Sequence, residues 1–286
     1  MGGWILLTVN SVTFGGLLFL LAAGFSLIFG LMRIPNLTHG AFFMLGAYLG
    51  VTLLRLGWDF WWAALGAAAL VAAFGGAVER LLLRRLAGQE LAQVLVTLGI
   101  SLMVADLCLV AWTGDPISVP PPRELAMSVA LPGTRFPAYR LVVVAIAVAC
   151  AAALWLLLDR TRLGARIRAG VDDPGMARVC GIRVSQLFTL VFCLGAGLAG
   201  FAGVIGAPIL SVYPGLDADM LPLALVVVIL GGAGSLPGAL VGSFLIGALY
   251  NFGQAMFPEL AYVVLFAPML LVLVLRPQGL FGKLAP

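Results

Sequence analysis

The sequence predicts an all-α fold, a polytopic transmembrane helical bundle of about eight or nine spans, with a broken helix or tight Gly-rich turn near 231–238. Three observations predict it. Hydrophobic residues fill 63% of the 286 positions and charged residues only 10%, with a mean hydropathy of +1.14. A soluble domain carries about 25% charged residues, so these charges cannot cover a water-facing surface, and a soluble enzyme is not expected. The charges are also clustered, leaving uncharged runs over Met1–Met32, Phe60–Val78, Leu91–Ala105, Leu141–Leu158, Val184–Leu216 and Met220–Pro258. A helix crossing the hydrocarbon core needs about 20 apolar residues, roughly 30 Å at 1.5 Å per residue. Finally, the runs are continuous and do not alternate, so the backbone satisfies itself in lipid as helices and not as a barrel.

Taken in order, spans are expected near Trp4–Met32, Ala41–Leu56, Phe60–Val78, Leu91–Trp112, Leu141–Leu158, Leu187–Gly206 and Ala261–Leu275. The first has no basic segment ahead of it and no small-residue cleavage site, so it reads as a retained span. Met220–Pro258 is too long for one crossing, and Gly231-Gly232-Ala233-Gly234-Ser235-Leu236-Pro237-Gly238 interrupts it. Glycine and proline there make a continuous helix unfavourable, giving two crossings, the first short or broken. Small residues four apart (Ala196 and Gly200, Ala199 and Gly203, Gly238 and Gly242) let helix backbones approach closely in lipid.

Cationic loops stay on the cytoplasmic side, so the net charge of +4 gives orientation and not nucleic-acid binding. Loop 79–90 holds Arg80, Arg84 and Arg85, and loop 159–186 holds six arginines against three aspartates; both are expected inside. The proline-rich segment 113–140 and the acidic segment with Asp217 and Asp219 then fall outside, and the tail from Arg276 inside. Arg33, alone in the first connection, leaves the side of the N-terminus open between eight and nine crossings.

Four groups of polar or irregular residues are candidates for function. In the loop 159–186, Asp173 can cap a short helix, Pro174 suits its first position and Gly181 can end it in a left-handed turn. About two helical turns are marginal alone, so laying Met176, Ala177 and Val179 on a partner would stabilise it; the alternative is a connector on the membrane surface. Asn36, Thr38, His39 and Gly40 place polar side chains and a helix breaker between apolar spans. Irregular backbone at membrane depth is tolerated where it is buried or lines a cavity, so they are pathway candidates; the alternative is a polar turn at the interface. Asp106 lies inside a span, toward its outer end. A charge costs about 2.5–3.5 kcal/mol at mid-bilayer, so it is expected to face the bundle, pair or be protonated, as a proton-relay site would; the alternative is a structural or snorkelling carboxylate near the interface. Gly231, Gly232, Gly234 and Ser235 suit either a discontinuous helix at a central site or a tight cytoplasmic turn. Cys108, Cys150, Cys180 and Cys193 form no CxxC, and His39 is the only histidine. The cysteines therefore read as packing residues, with no metal site and no disulfide framework. No phosphate-binding Gly-rich loop, Ser/His/Asp grouping or zinc spacing is present.

Beyond these physical readings, the run from Gly24 to Ala41 resembles the N-terminal signature of branched-chain amino acid ABC transporter permeases. Thr161-Arg162-Leu163-Gly164-Ala165-Arg166-Ile167-Arg168-Ala169, with Asp173, Ala177 and Gly181-Ile182 after it, is similar to that family's cytoplasmic loop. Gly231–Ala239 and Arg276-Pro277-Gln278-Gly279-Leu280-Phe281-Gly282 match as well. The Asn-x-x-His-Gly turn and the length resemble the H-type Liv permease more than its M-type partner, although Leu37-Thr38 stands where the family pattern usually has Phe-Ala. The resemblance implies a single permease domain over 1–286 in a bacterial inner membrane. It implies one half of an importer for leucine, isoleucine and valine, or for other amino acids, amides or urea. A second, M-type permease subunit, two cytoplasmic ATPase subunits and a periplasmic substrate-binding protein would complete it, with ATP used by the ATPases and no cofactor bound by this chain. Arg166, Arg168, Asp173, Met176, Ala177, Cys180, Gly181 and Ile182 would then belong to the ATPase-docking loop. The rivals are an ion-coupled secondary carrier using Asp106 and His39, and a passive channel for a small polar solute.

Overall fold

A single uncharged helix, α1 (Gly2–Met32), is the axis of the bundle. The computed structural model describes residues 2–32, 36–131 and 134–282; Arg33, Ile34 and Pro35 of the first connection, and residues 283–286 of the tail, lie outside them. Within its membrane-length window α1 is 83% buried, against 22% for α4 (Glu90–Trp112) and 17% for α5 (Ala138–Arg160). That contrast puts α1 at the centre and α4 and α5 at the rim. α8 (Val184–Leu210) crosses α1 and carries α2 (Thr38–Arg55) and α3 (Phe60–Leu81) on its other faces. α10 (Leu236–Met256) lies along α1, with α9 (Leu216–Gly231) and α11 (Ala261–Leu275) against it.

Small residues set these crossings. A methyl group built on Gly203 would fall on the carbonyl oxygen of Phe43 in α2, and one on Gly24 would lie 2.5 Å from the carbonyl of Gly195 in α8. Gly200 sits between Val71 of α3 and Gly46 of α2, and Gly242 lies against the Val227 carbonyl of α9. The small-residue spacing in the sequence therefore marks real backbone contacts, as close packing without a hydrophobic drive between helices requires.

Among the described residues six helices are long and apolar enough to cross a membrane: α1, α3, α4, α5, α8 and α10. The expected eight or nine is thus reduced. α2, α9 and α11 are 18, 16 and 15 residues long; sixteen residues reach roughly 24 Å, short of the hydrocarbon thickness. The start of α2 is inside the bundle, because His39 bonds the middle of α1 and Thr38 bonds α4. The start of α9 meets it there, with the Asp217 carbonyl against Gly40. Apolar runs in the sequence could be counted, but not the depth at which each begins.

The segment 113–140 contains an antiparallel hairpin, β1 (Ser128–Leu131) and β2 (Thr134–Pro137), and Ile117 bridges to Val212 beyond α8. The acidic connection and the proline-rich segment therefore share one end of the bundle, as expected. At the other end, α6 (Arg162–Asp172) and α7 (Pro174–Val179) follow α5. Leu27 near the end of α1 packs there with Ile167, Leu187 and Val191. The beginning of α1 therefore lies at the end opposite α6 and α7, the point that the sequence left open.

The Gly231–Gly238 interruption is a tight turn. Gly232 and Gly234 adopt φ of +101° and +76°, the left-handed region that glycine tolerates. Ser235 then caps α10 by accepting from the Gly238 amide at 3.1 Å. The tail closes over it, with the Leu280 and Phe281 amides donating to the Leu230 and Gly231 carbonyls at 2.8 and 3.0 Å.

Candidate functional site

Two places in this fold have the geometry of a site. The first is the α6–α7 end. Thr161 caps α6 by accepting from Gly164 N at 3.2 Å, and Ile167 and Gly170 are buried against the bundle. Arg168 is tied to Asp159 at 3.2 Å and to the Leu158 carbonyl, while Arg166 points outward. Asp173 Oδ1 accepts from the amides of Gly175 and Met176, both at 2.9 Å, Pro174 occupies the first turn, and Gly181 has φ of +80°. The sequence-predicted capped helix is thus present, with one correction. Ala177 is 4% exposed and seats α7 on its own chain, whereas Met176 and Val179 are 60% and 83% exposed. The surface α7 offers is Met176, Val179 and Cys180; Ile182 is half-buried. α6 itself was missed by sequence reasoning, although the Thr161 cap and the Leu163, Ile167 and Gly170 spacing signal it.

The second is a cavity of about 570 Å³ at the opposite end, within the usual range for small-molecule sites. It lies among the early part of α1, the start of α5, the end of α8, the first turns of α9, the end of α10 and the middle of α11. Apolar side chains such as Phe14, Leu223 and Phe266 form one wall, and Arg140, Asp219, Tyr213, Asn10 and Asn251 bring polar groups to it. Arg140 donates to Asn10 Oδ1 and lies 5.9 Å from the centre of the Phe136 ring. Tyr213 donates its hydroxyl to Asp219. Burial, then that hydrogen bond, holds the Tyr213 phenol protonated well past its ordinary range, so Tyr213 stays the donor and Asp219 the acceptor.

The pathway candidates lie elsewhere. Asn36, Thr38 and His39 are buried, not at an interface. The Asn36 side chain accepts from Thr38 N at 3.1 Å, Thr38 donates to the Thr97 carbonyl at 3.0 Å, and His39 Nε2 donates to the Leu21 carbonyl at 2.9 Å. Gly40 allows α9 to approach. Gly231, Gly232, Gly234 and Ser235 sit roughly 14 Å further along α1, beside Gly30. The two groups are not brought together, and neither lines the cavity. Asp106 is exposed, which fits a carboxylate near the outer end of the span and not one that faces the bundle. α4 buries Thr97, Ser101, Val104 and Cys108, and two residues on from Val104 is about 200° around the helix. Of the cysteines, Cys108 is buried and Cys180 exposed, and all four are free.

Sequence comparison with known proteins gives a consistent picture. A family model described as "Branched-chain amino acid transport system / permease component" matches residues 7–273. The permease protein BraD of the high-affinity branched-chain amino acid transport system of Pseudomonas aeruginosa is 29% identical over 290 residues, covering 96% of this chain and 94% of BraD. LivH of Escherichia coli K12, a permease protein of the same description, is 27% identical over 298 residues with the same coverage. The ribose import permease RbsC of E. coli K12 shares 34% identity over 106 residues, 35% of this chain and 33% of its own. No solved structure matches. Matched by that model along almost all of its bundle, this chain belongs to the family of branched-chain amino acid transport system permease components.

Proposed function

We propose that the chain is one membrane half of an ATP-driven importer for branched-chain or related amino acids in a bacterial inner membrane. A second permease of M type completes the channel, two cytoplasmic ATPases dock on the pair, and a periplasmic binding protein delivers the substrate. The arginine-rich α6–α7 end is cytoplasmic under the positive-inside rule. With that orientation the tail is cytoplasmic, and the start of α1 and the cavity face outward.

The observation that carries the reading is α7. Its ends are fixed by Asp173, Pro174 and Gly181, its underside is anchored by Ala177, and its apolar residues Met176 and Val179 face away from the chain. A rigid apolar tip at the arginine-rich end suits docking to a soluble subunit. An ion-coupled carrier is supported less well, because Asp106 lies on the exposed face of α4, where it cannot exchange protons with a buried pathway.

The test is to tag the chain, extract the assembly in mild detergent and identify what co-purifies. A second permease and ATPases are expected, with uptake that survives collapse of the proton gradient while ATP is held constant. Val179→Asp with Met176→Asp is expected to insert normally and lose both the ATPases and uptake. A chain that purifies alone and stops transporting when the gradient is removed would overturn the proposal.

A further inference from the structure

The outward cavity contains two opposite charges that do not meet. Arg140 has five N–H donors on its guanidinium, and the hydrogen bond to Asn10 uses only part of them. Among the described residues its guanidinium has no carboxylate within ion-pair distance; the ion pair found there is Arg168 with Asp159, at the other end of the bundle. Asp219 accepts from Tyr213 and, among the described residues, has no cationic partner within that distance. Both line the same cavity, with an apolar wall formed by Phe14, Ile209, Leu223 and Phe266.

Arg140 is part-buried and Asp219 is exposed at the mouth of the cavity, and each is engaged by a neutral neighbour, Asn10 and Tyr213, and not by the other. The cavity they line therefore has a cationic edge, an anionic edge and an apolar wall. A free α-amino acid has the matching pattern: a carboxylate and an ammonium on one carbon, and a side chain that is aliphatic for the branched-chain class. Guanidinium groups favour planar carboxylates because two parallel N–H bonds can form. An ammonium can donate to Asp219 on the oxygen that Tyr213 leaves free.

We infer that this cavity is a binding site for the zwitterion of an aliphatic α-amino acid, its carboxylate held by Arg140, its ammonium by Asp219 and its side chain by the Phe14–Leu223–Phe266 wall. The inference rests on the importer reading and deepens it: the permease itself, and not only the delivering protein, checks the two charged groups. A solute lacking either charge would leave Arg140 or Asp219 without its ionic partner.

The test uses right-side-out vesicles from cells that make the whole transport system. Asn251→Cys places a thiol on the cavity lining, and its alkylation by a membrane-impermeant maleimide is read at that peptide by mass spectrometry. Leucine or valine is expected to slow labelling three-fold or more, while leucinamide, without the carboxylate, and isocaproate, without the ammonium, do not. Adding Arg140→Gln or Asp219→Asn should abolish protection by leucine and lower its uptake ten-fold or more, with Arg140→Lys intermediate. The protection measurement in the otherwise native chain does not depend on whether Arg140→Gln inserts. Normal leucine uptake without protection, or equal protection by leucine and leucinamide, overturns the site while the importer reading stands. A native system that takes up no aliphatic amino acid overturns both.

Discussion

At Gly203 the backbones of α8 and α2 touch. A methyl group added there would overlap the Phe43 carbonyl oxygen and lie 2.9 Å from the Ala47 nitrogen, whereas non-bonded carbons rest at about 3.5–4.0 Å. Both obstacles are backbone in a buried helix, so no side chain can swing aside and the helices must move apart. That would also loosen Gly46 on Gly200 and Gly50 on Val204, in the same crossing. Overpacking of this kind costs about 1–3 kcal/mol, while alanine returns about 1 kcal/mol of helix propensity relative to glycine. Gly203→Ala should therefore be destabilising by up to about 2 kcal/mol. Gly99 on the exposed face of α4 has nothing within 4 Å of the corresponding methyl group, so Gly99→Ala should show only the propensity gain. At about 2–4 °C per kcal/mol, the apparent melting point in detergent, followed by loss of the monodisperse peak, should fall by several degrees for Gly203→Ala and stay level or rise for Gly99→Ala. Equal midpoints for the two variants would refute the argument that α8 is positioned by backbone contact.

Two other substitutions test local features. Asp173→Ala removes the acceptor for two amides at the start of α7, costing about 0.5–2 kcal/mol; hydrogen exchange at residues 175–179 should accelerate about 2- to 30-fold, and unchanged exchange would show that the cap does not hold the helix. Gly234→Ala combines a left-handed φ, which costs about 1–2 kcal/mol for a residue with a Cβ, with a methyl 2.8 Å from Gly30 Cα. Gly88→Ala carries a similar φ of +86° in open space, so a larger drop in melting point at 234 than at 88 isolates the contact with α1, and equal drops would deny it.

What could be read in advance was local. Asp173, Pro174 and Gly181 specify α7 through their own backbone preferences, and the glycines of 231–238 specify a break whatever surrounds it. The depth of α2 was not legible, because it depends on Thr38 finding Thr97 and on Gly40 admitting the Asp217 carbonyl, contacts between segments far apart in sequence. The face of α4 that carries Asp106 was not legible, because hydropathy registers a charge inside a span without its angle around the helix. The cavity was illegible for the same reason as α2. Asn10, Arg140 and the local pair Tyr213 and Asp219 stand on three separate stretches of chain, and only the packing of α1, α5, α8 and α9 makes them neighbours.

The clasp between the tail and the glycine turn bears on the order of assembly during synthesis. The carbonyls of Leu230 and Gly231 accept from the amides of Leu280 and Phe281, which follow α10 and α11 in the chain and are therefore made after them. A nascent chain stopped short of residue 280 already holds every helix of the bundle, yet the end of α9 is still unlatched, with two backbone acceptors open. The arrival of residues 280 and 281 is thus registered at the α6–α7 end of the molecule, through a contact that a shorter copy cannot form.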